Sequence, residues 1–88
     1  MNKIEIYTSE TCPYCVKAKK LLKTLGLEYM EFDVSGSFDK MVENLEKRFG
    51  IKVMTIPQII INDKHIGGFD DLNALYRSGE LKKYLVNE

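Results

Sequence analysis

The chain has no tryptophan, one histidine, two prolines and two cysteines, and its thirteen Lys and Arg are cancelled by thirteen Asp and Glu. Each scarcity excludes something. Zero net charge removes the positive excess with which nucleic-acid binders neutralise phosphates, so neither DNA nor RNA is an expected partner. The longest strongly apolar run, Ile59-Ile60-Ile61, falls far short of the ~20 residues that a membrane-crossing helix needs. Met1-Asn2-Lys3-Ile4-Glu5-Ile6 alternates apolar with polar residues where a secretory leader would carry a continuous apolar core. No membrane association and a cytoplasmic location are therefore expected. Cys12 and Cys15 would close a loop too small to constrain much of the unfolded chain, so stapling does not account for them. His65 is the one further soft ligand, too few for a closed four-ligand zinc site in a single copy, and no metal is expected.

What remains is a globular balance, 44% hydrophobic and 30% charged over 88 residues, which predicts a single domain spanning 1–88. Ile4 and Ile6 share one face of a strand over Lys3 to Thr8. Ala18, Leu21, Leu22 and Leu25 follow at helical spacing, stopped by Gly26, with Lys17, Lys19, Lys20 and Lys23 on a solvated face. Glu28 to Val34 reads as a second strand. Met41, Val42, Leu45 and Phe49 then form a second helical stripe closed by Gly50. Two strands joined through a helix imply a parallel pair with a right-handed crossover. The second half opens as a hairpin, Gln58 to Ile61, a turn at Asn62-Asp63-Lys64, and His65 to Gly67. A helix from Asp70 carries Leu72, Leu75 and Tyr76 on one face, and a short turn after Gly79 carries Leu81, Tyr84 and Leu85. The order is β-α-β-α-β-β-α, an α/β fold with a four-stranded mixed sheet flanked by helices.

The chemistry concentrates where the first strand meets the first helix, at Cys12-Pro13-Tyr14-Cys15. Unpaired N–H groups and the positive end of the helix dipole lie there, and both favour a thiolate over a thiol. A free cysteine titrates near ~8.5, whereas cysteines in such settings fall to roughly 3.5–7.5, so Cys12 should be largely charged at neutral pH. Pro13 suits the first helical turn, where its missing N–H would have had no partner. Cys15, one turn on, can reach a mixed disulfide formed at Cys12 and resolve it. Attack followed by resolution is the mechanism this spacing implies.

Two further motifs lie far along the chain. Pro57 in Thr55-Ile56-Pro57 reads either as a strand-start proline or as a cis proline that turns the Ile56 backbone outward as a docking edge. Gly67-Gly68-Phe69-Asp70-Asp71 ends the hairpin and opens the third helix; its N–H groups can bind a carboxylate, and Asp70 and Asp71 can cap the helix, touch a ligand, or both. His65 reads as a hairpin residue, because thiol–disulfide exchange needs no further base once the thiolate exists.

Taken together, Cys12-Pro13-Tyr14-Cys15, Thr55-Ile56-Pro57 and Gly67-Gly68-Phe69-Asp70-Asp71 resemble the active site, Thr-Val-Pro and Gly-Gly-x-x-Asp motifs of the small dithiol glutaredoxins. The resemblance runs over essentially the whole chain. It implies a thioredoxin fold, a cis Pro57, and a groove for glutathione, the expected reductant and co-substrate. Cys12 would accept glutathione as a mixed disulfide and Cys15 would be the resolving thiol. Tyr14 would flank the groove, the main chain of Ile56 between Thr55 and Pro57 would pair with the glutathione cysteine, and Gly68 with Asp70 (backbone) and Asp71 (side chain) would hold the γ-glutamyl end. Many family members carry Lys three positions before the first active-site cysteine; this chain has Ser9, and Lys52 is the candidate to supply that charge. The implied activity is reduction of protein disulfides and glutathione mixed disulfides by a monomer, with ribonucleotide reductase one partner the resemblance suggests. Two alternatives differ from it, a redoxin recharged by thioredoxin reductase and a dimer sharing an iron–sulfur cluster. The single-Cys pattern typical of cluster carriers is not the one here.

Overall fold

A computed structural model describes residues 2–86. Its elements are β1 (Ile4–Thr8), α1 (Pro13–Thr24), β2 (Met30–Asp33), α2 (Phe38–Phe49), β3 (Gln58–Ile61), β4 (Lys64–Gly67), α3 (Phe69–Ser78) and a closing 3₁₀ turn (Leu81–Tyr84). The sheet order is β2-β1-β3-β4. β1 runs parallel to β2, with Tyr7 opposite Phe32, and antiparallel to β3, with Ile6 opposite Ile59. β3 and β4 form the expected hairpin. Its turn needs only Asn62 and Asp63, both at positive φ (50° and 64°), so Lys64 already belongs to β4. Asn and Asp tolerate that region better than other side chains, and two such residues match the strand twist of a hairpin.

Alternation along the strands divides the core into two layers. Ile4, Ile6, Ile59 and Ile61 face α1 and α3, packing on Ala18, Leu22 and Leu72. Tyr7 and Ile60 face the other way, against Met41 and Leu45 of α2 with Val34 and Val53. β3 is therefore buried on both faces, which is why it appears as an unbroken Ile run. β2 is shorter than the Glu28 to Val34 expectation, and all four of its residues are exposed. It is an edge strand with one neighbour, and Val34 is drawn under α2 after the strand ends, its N–H donating to the Thr8 carbonyl at 2.8 Å. α3 starts one residue before the expected Asp70 because the Asp71 carboxylate accepts from the Gly68 N–H at 3.0 Å and closes the helix start.

On the α2 side, Glu5 is 6% exposed, and a bare carboxylate there would be costly. Arg48 answers it with a two-pronged pair at 3.1 and 3.3 Å and reaches Asp63 at 3.2 Å. The Glu5 carboxylate holds the Arg48 guanidinium even more firmly protonated than usual. Removing Arg48 strands a buried charge, so Arg48→Ala should cost about 2 kcal/mol. Lys83→Ala, which breaks only an exposed pair with Glu80, should stay within about 0.5 kcal/mol. The urea midpoints of the two variants check both.

Candidate active site

β1 delivers the chain to the start of α1, and Cys12 is the residue that caps it. Its Sγ occupies the place usually taken by a Ser or Asp oxygen, accepting the Cys15 N–H at 3.1 Å. Pro13 fills the first helical position. Cys12 is partly accessible, whereas Cys15 is 1% exposed. The two are joined as a disulfide with Cα atoms 5.2 Å apart, within the span such a bond tolerates. In the reduced pair the outer sulfur is the one a substrate can reach, and the N–H that it accepts favours its anion. The inner sulfur has no route to a bulky substrate except through Cys12.

Cys12 Sγ lies 3.8 Å from the Ile56 carbonyl oxygen. A disulfide sulfur has no proton to give, so in the oxidised pair this is a contact rather than a hydrogen bond. The Ile56–Pro57 bond is cis. From that loop a groove of about 500 Å³ runs to the start of α3, lined by Tyr14, Lys52, Thr55, Ile56, Pro57, Gly68, Asp70 and Asp71. These eight residues thus share one surface, and Cys12 meets it through the contact with the Ile56 carbonyl. Ser9 does not line it. Tyr14 is 54% exposed, leans on Phe69 with centroids 6.3 Å apart, and carries the Lys17 ammonium 5.0 Å from its ring. Gly67 has a φ of +117°, and a Cβ there would sit 2.9 Å from Asp71 Cγ. Glycine is thus required where the chain passes beneath the Asp71 carboxylate.

Two other members of the wall were not expected in the groove from the sequence, where His65 reads as a hairpin residue. Gln58 and His65 line it, bonded to each other at 2.7 Å. Gln58 looks like the opening residue of a strand, and only the hairpin register turns it toward His65. Lys19 leaves the solvated helix face to pair with Glu31 at 2.9 Å, and the same Glu31 oxygen accepts from Thr8 Oγ1 at 2.7 Å. These bonds hold the Glu31 carboxyl below its ordinary range and raise Lys19. Among the described residues, no helix is long and apolar enough to cross a membrane, and no three His, Cys, Asp or Glu side chains cluster as metal ligands would.

A Cys-x-x-Cys disulfide at a helix start, set against a cis-proline loop in a β-α-β-α-β-β-α sheet, defines a thiol–disulfide oxidoreductase of the thioredoxin fold. The glutaredoxin family model matches residues 4–66. Glutaredoxin 3 of Escherichia coli K12 is 47% identical over 85 residues, covering 97% of this chain and 99% of that one. Among solved structures, glutaredoxin 1 from Francisella tularensis, complexed with cacodylate, is 33% identical with a TM-score of 0.74, covering 89% of this chain and 95% of that one. A buckwheat glutaredoxin–glutathione complex is 30% identical with a TM-score of 0.79, covering 96% of this chain and 76% of that one. The chain belongs to the glutaredoxin family.

Burial lowers the His65 pKa from its ordinary 6.5, partly opposed by the nearby Asp71 charge. Folding therefore favours the neutral imidazole. Its contribution is complete above about pH 6.5 and is lost as the pH falls from there through the lowered folded-state value. His65→Gln should flatten the stability profile in that window and leave it parallel to the parent above pH 7, as urea midpoints across pH 5–8 would report.

Proposed function

We propose that this protein is a glutathione-dependent oxidoreductase that reduces glutathione mixed disulfides and protein disulfides. The observation that carries the reading is the convergence of three distant segments on one groove, Tyr14 from the Cys-x-x-Cys segment, Thr55 to Pro57, and Gly67 to Asp71, with the Cys12 sulfur 3.8 Å from its Ile56 carbonyl.

In the monothiol route the Cys12 thiolate attacks the glutathione sulfur of a mixed disulfide. The old S–S bond breaks, the substrate leaves as a thiolate that takes a proton from water, and glutathione remains on Cys12. A second glutathione thiolate then attacks the glutathione sulfur, releasing oxidised glutathione and restoring the Cys12 thiolate. With a protein disulfide, Cys12 forms the mixed disulfide with the substrate. Cys15 displaces the reduced substrate by closing the Cys12–Cys15 disulfide, and two glutathione molecules reopen it. The main chain of Ile56, between Thr55 and the cis Pro57, pairs with the glutathione cysteine. Tyr14 covers the tripeptide, and Lys52 meets its glycine carboxylate in the role that Ser9 cannot fill. At the far end, Gly68 and the Asp70 backbone sit at the helix start, suited to the γ-glutamyl carboxylate. The Asp71 oxygen left free by the Gly68 bond accepts from the γ-glutamyl ammonium. The unit doing this is a single glutaredoxin domain over 1–88 acting as a monomer in the cytoplasm, with glutathionylated or disulfide-bearing proteins as substrates, ribonucleotide reductase being the one that the family resemblance suggests.

Reduction of a glutathione mixed disulfide, coupled through glutathione and glutathione reductase to NADPH, tests this. Cys15→Ser should retain activity within about threefold, and Cys12→Ser should fall by about a thousandfold, to the uncatalysed rate. An intact chain that is idle with glutathione yet turns over with thioredoxin reductase would overturn the glutathione reading.

A further inference from the structure

Two polar side chains in the groove wall have no role in the sulfur chemistry proposed above. Gln58 is 4% exposed at the start of β3, and His65 is half-buried on β4. The Gln58 amide nitrogen donates to the Thr55 carbonyl at 2.9 Å and lies 3.3 Å from Thr55 Oγ1. That orientation is forced, because the reversed amide would set oxygen against carbonyl oxygen. Gln58 Oε1 must then face His65 Nε2, 2.7 Å away, and the imidazole must be the donor. A directed chain results, from the His65 N–H through the Gln58 amide to the carbonyl of Thr55. Thr55 immediately precedes Ile56, and the loop has no secondary-structure ladder of its own to hold it.

We infer that Gln58 and His65 are positioning residues, which hold the Thr55–Ile56 segment in the geometry that docks the glutathionyl half of the substrate. The inference rests on the glutathione reading of the groove. Neither side chain contacts the sulfurs, whose hydrogen bond comes from α1. Loss of the chain should therefore weaken docking while the thiolate keeps its reactivity. Replacing Gln58 leaves both the Thr55 carbonyl and the His65 N–H without a partner, whereas replacing His65 leaves the Gln58–Thr55 bonds in place but unsupported. Gln58 should matter more.

The test uses the intact chain, Gln58→Met and His65→Leu, with the mixed disulfide of glutathione and 2-mercaptoethanol as substrate. Cys12 alkylation by iodoacetamide, which needs no groove, is measured alongside. Gln58→Met should raise KM by about five- to tenfold, the weight of one or two neutral hydrogen bonds, and His65→Leu should raise it by a smaller factor. In both, kcat should stay within twofold and the alkylation rate should be unchanged. Unaltered KM in the variants of an active parent would overturn this inference alone, as would alkylation that slows in step with KM. A parent idle with glutathione would overturn the groove reading and this inference together. If thermal unfolding shows that Gln58→Met does not fold, His65→Leu decides, and a parental KM there overturns the proposal.

Discussion

The hydrogen bond from the Cys15 N–H to Cys12 Sγ is the contact on which the rest of the site depends. It exists because a strand ends and a helix begins within four residues, leaving helix N–H groups with no carbonyl to serve. A sulfur placed there is a cap and, in the proposed function, also the nucleophile. As a cap it satisfies a backbone donor; as a nucleophile it gains from the same donor in proportion to its negative charge. Burial of Cys15 one turn along then orders the chemistry, since a large substrate meets Cys12 first.

Sheet topology supplies what the helix start cannot. Because β3 rather than a later strand lies against β1, the loop entering β3 comes to rest beside the end of β1, and the Ile56 carbonyl lands 3.8 Å from Cys12 Sγ. The hairpin returns β4 on the far side of β3, which brings Gly67 and Gly68 into the same wall before α3 begins. The close passage of Gly67 under Asp71 fixes the carboxylate at the far end of the groove. α1 holds the sulfurs and lends Tyr14 to the groove, while the β3 entry and the α3 start form most of the surface proposed to bind glutathione.

Much of this was legible from the residues. Cys12-Pro13-Tyr14-Cys15 directly after a strand-like segment is a strong signal, since proline at the first helical position and a cysteine one turn on belong to one local structure. The Ile59 to Ile61 run announced a strand, and Asn62-Asp63-Lys64 announced its turn, of which Lys64 proved to belong to β4. Four features were not legible. The antiparallel β1–β3 pairing depends on packing between segments fifty residues apart, on which local periodicity is silent. The shortness of β2 follows from its edge position, which no pattern of apolar residues encodes. The His65–Gln58–Thr55 chain depends on hairpin register, and each of its members has an ordinary local explanation by itself. Lys19 likewise looks solvated on a helix projection, until β2 places Glu31 beside it.

The most direct test of the central claim is a titration of the Cys12 thiol in the reduced protein, followed by thiolate absorbance and by the pH dependence of alkylation, with Cys15→Ser to isolate the signal. Stabilisation at the helix start predicts a pKa below about 7, inside the range of activated cysteines. A value near the ~8.5 of a free cysteine would mean that the helix start confers no activation, and would contradict the account at its base.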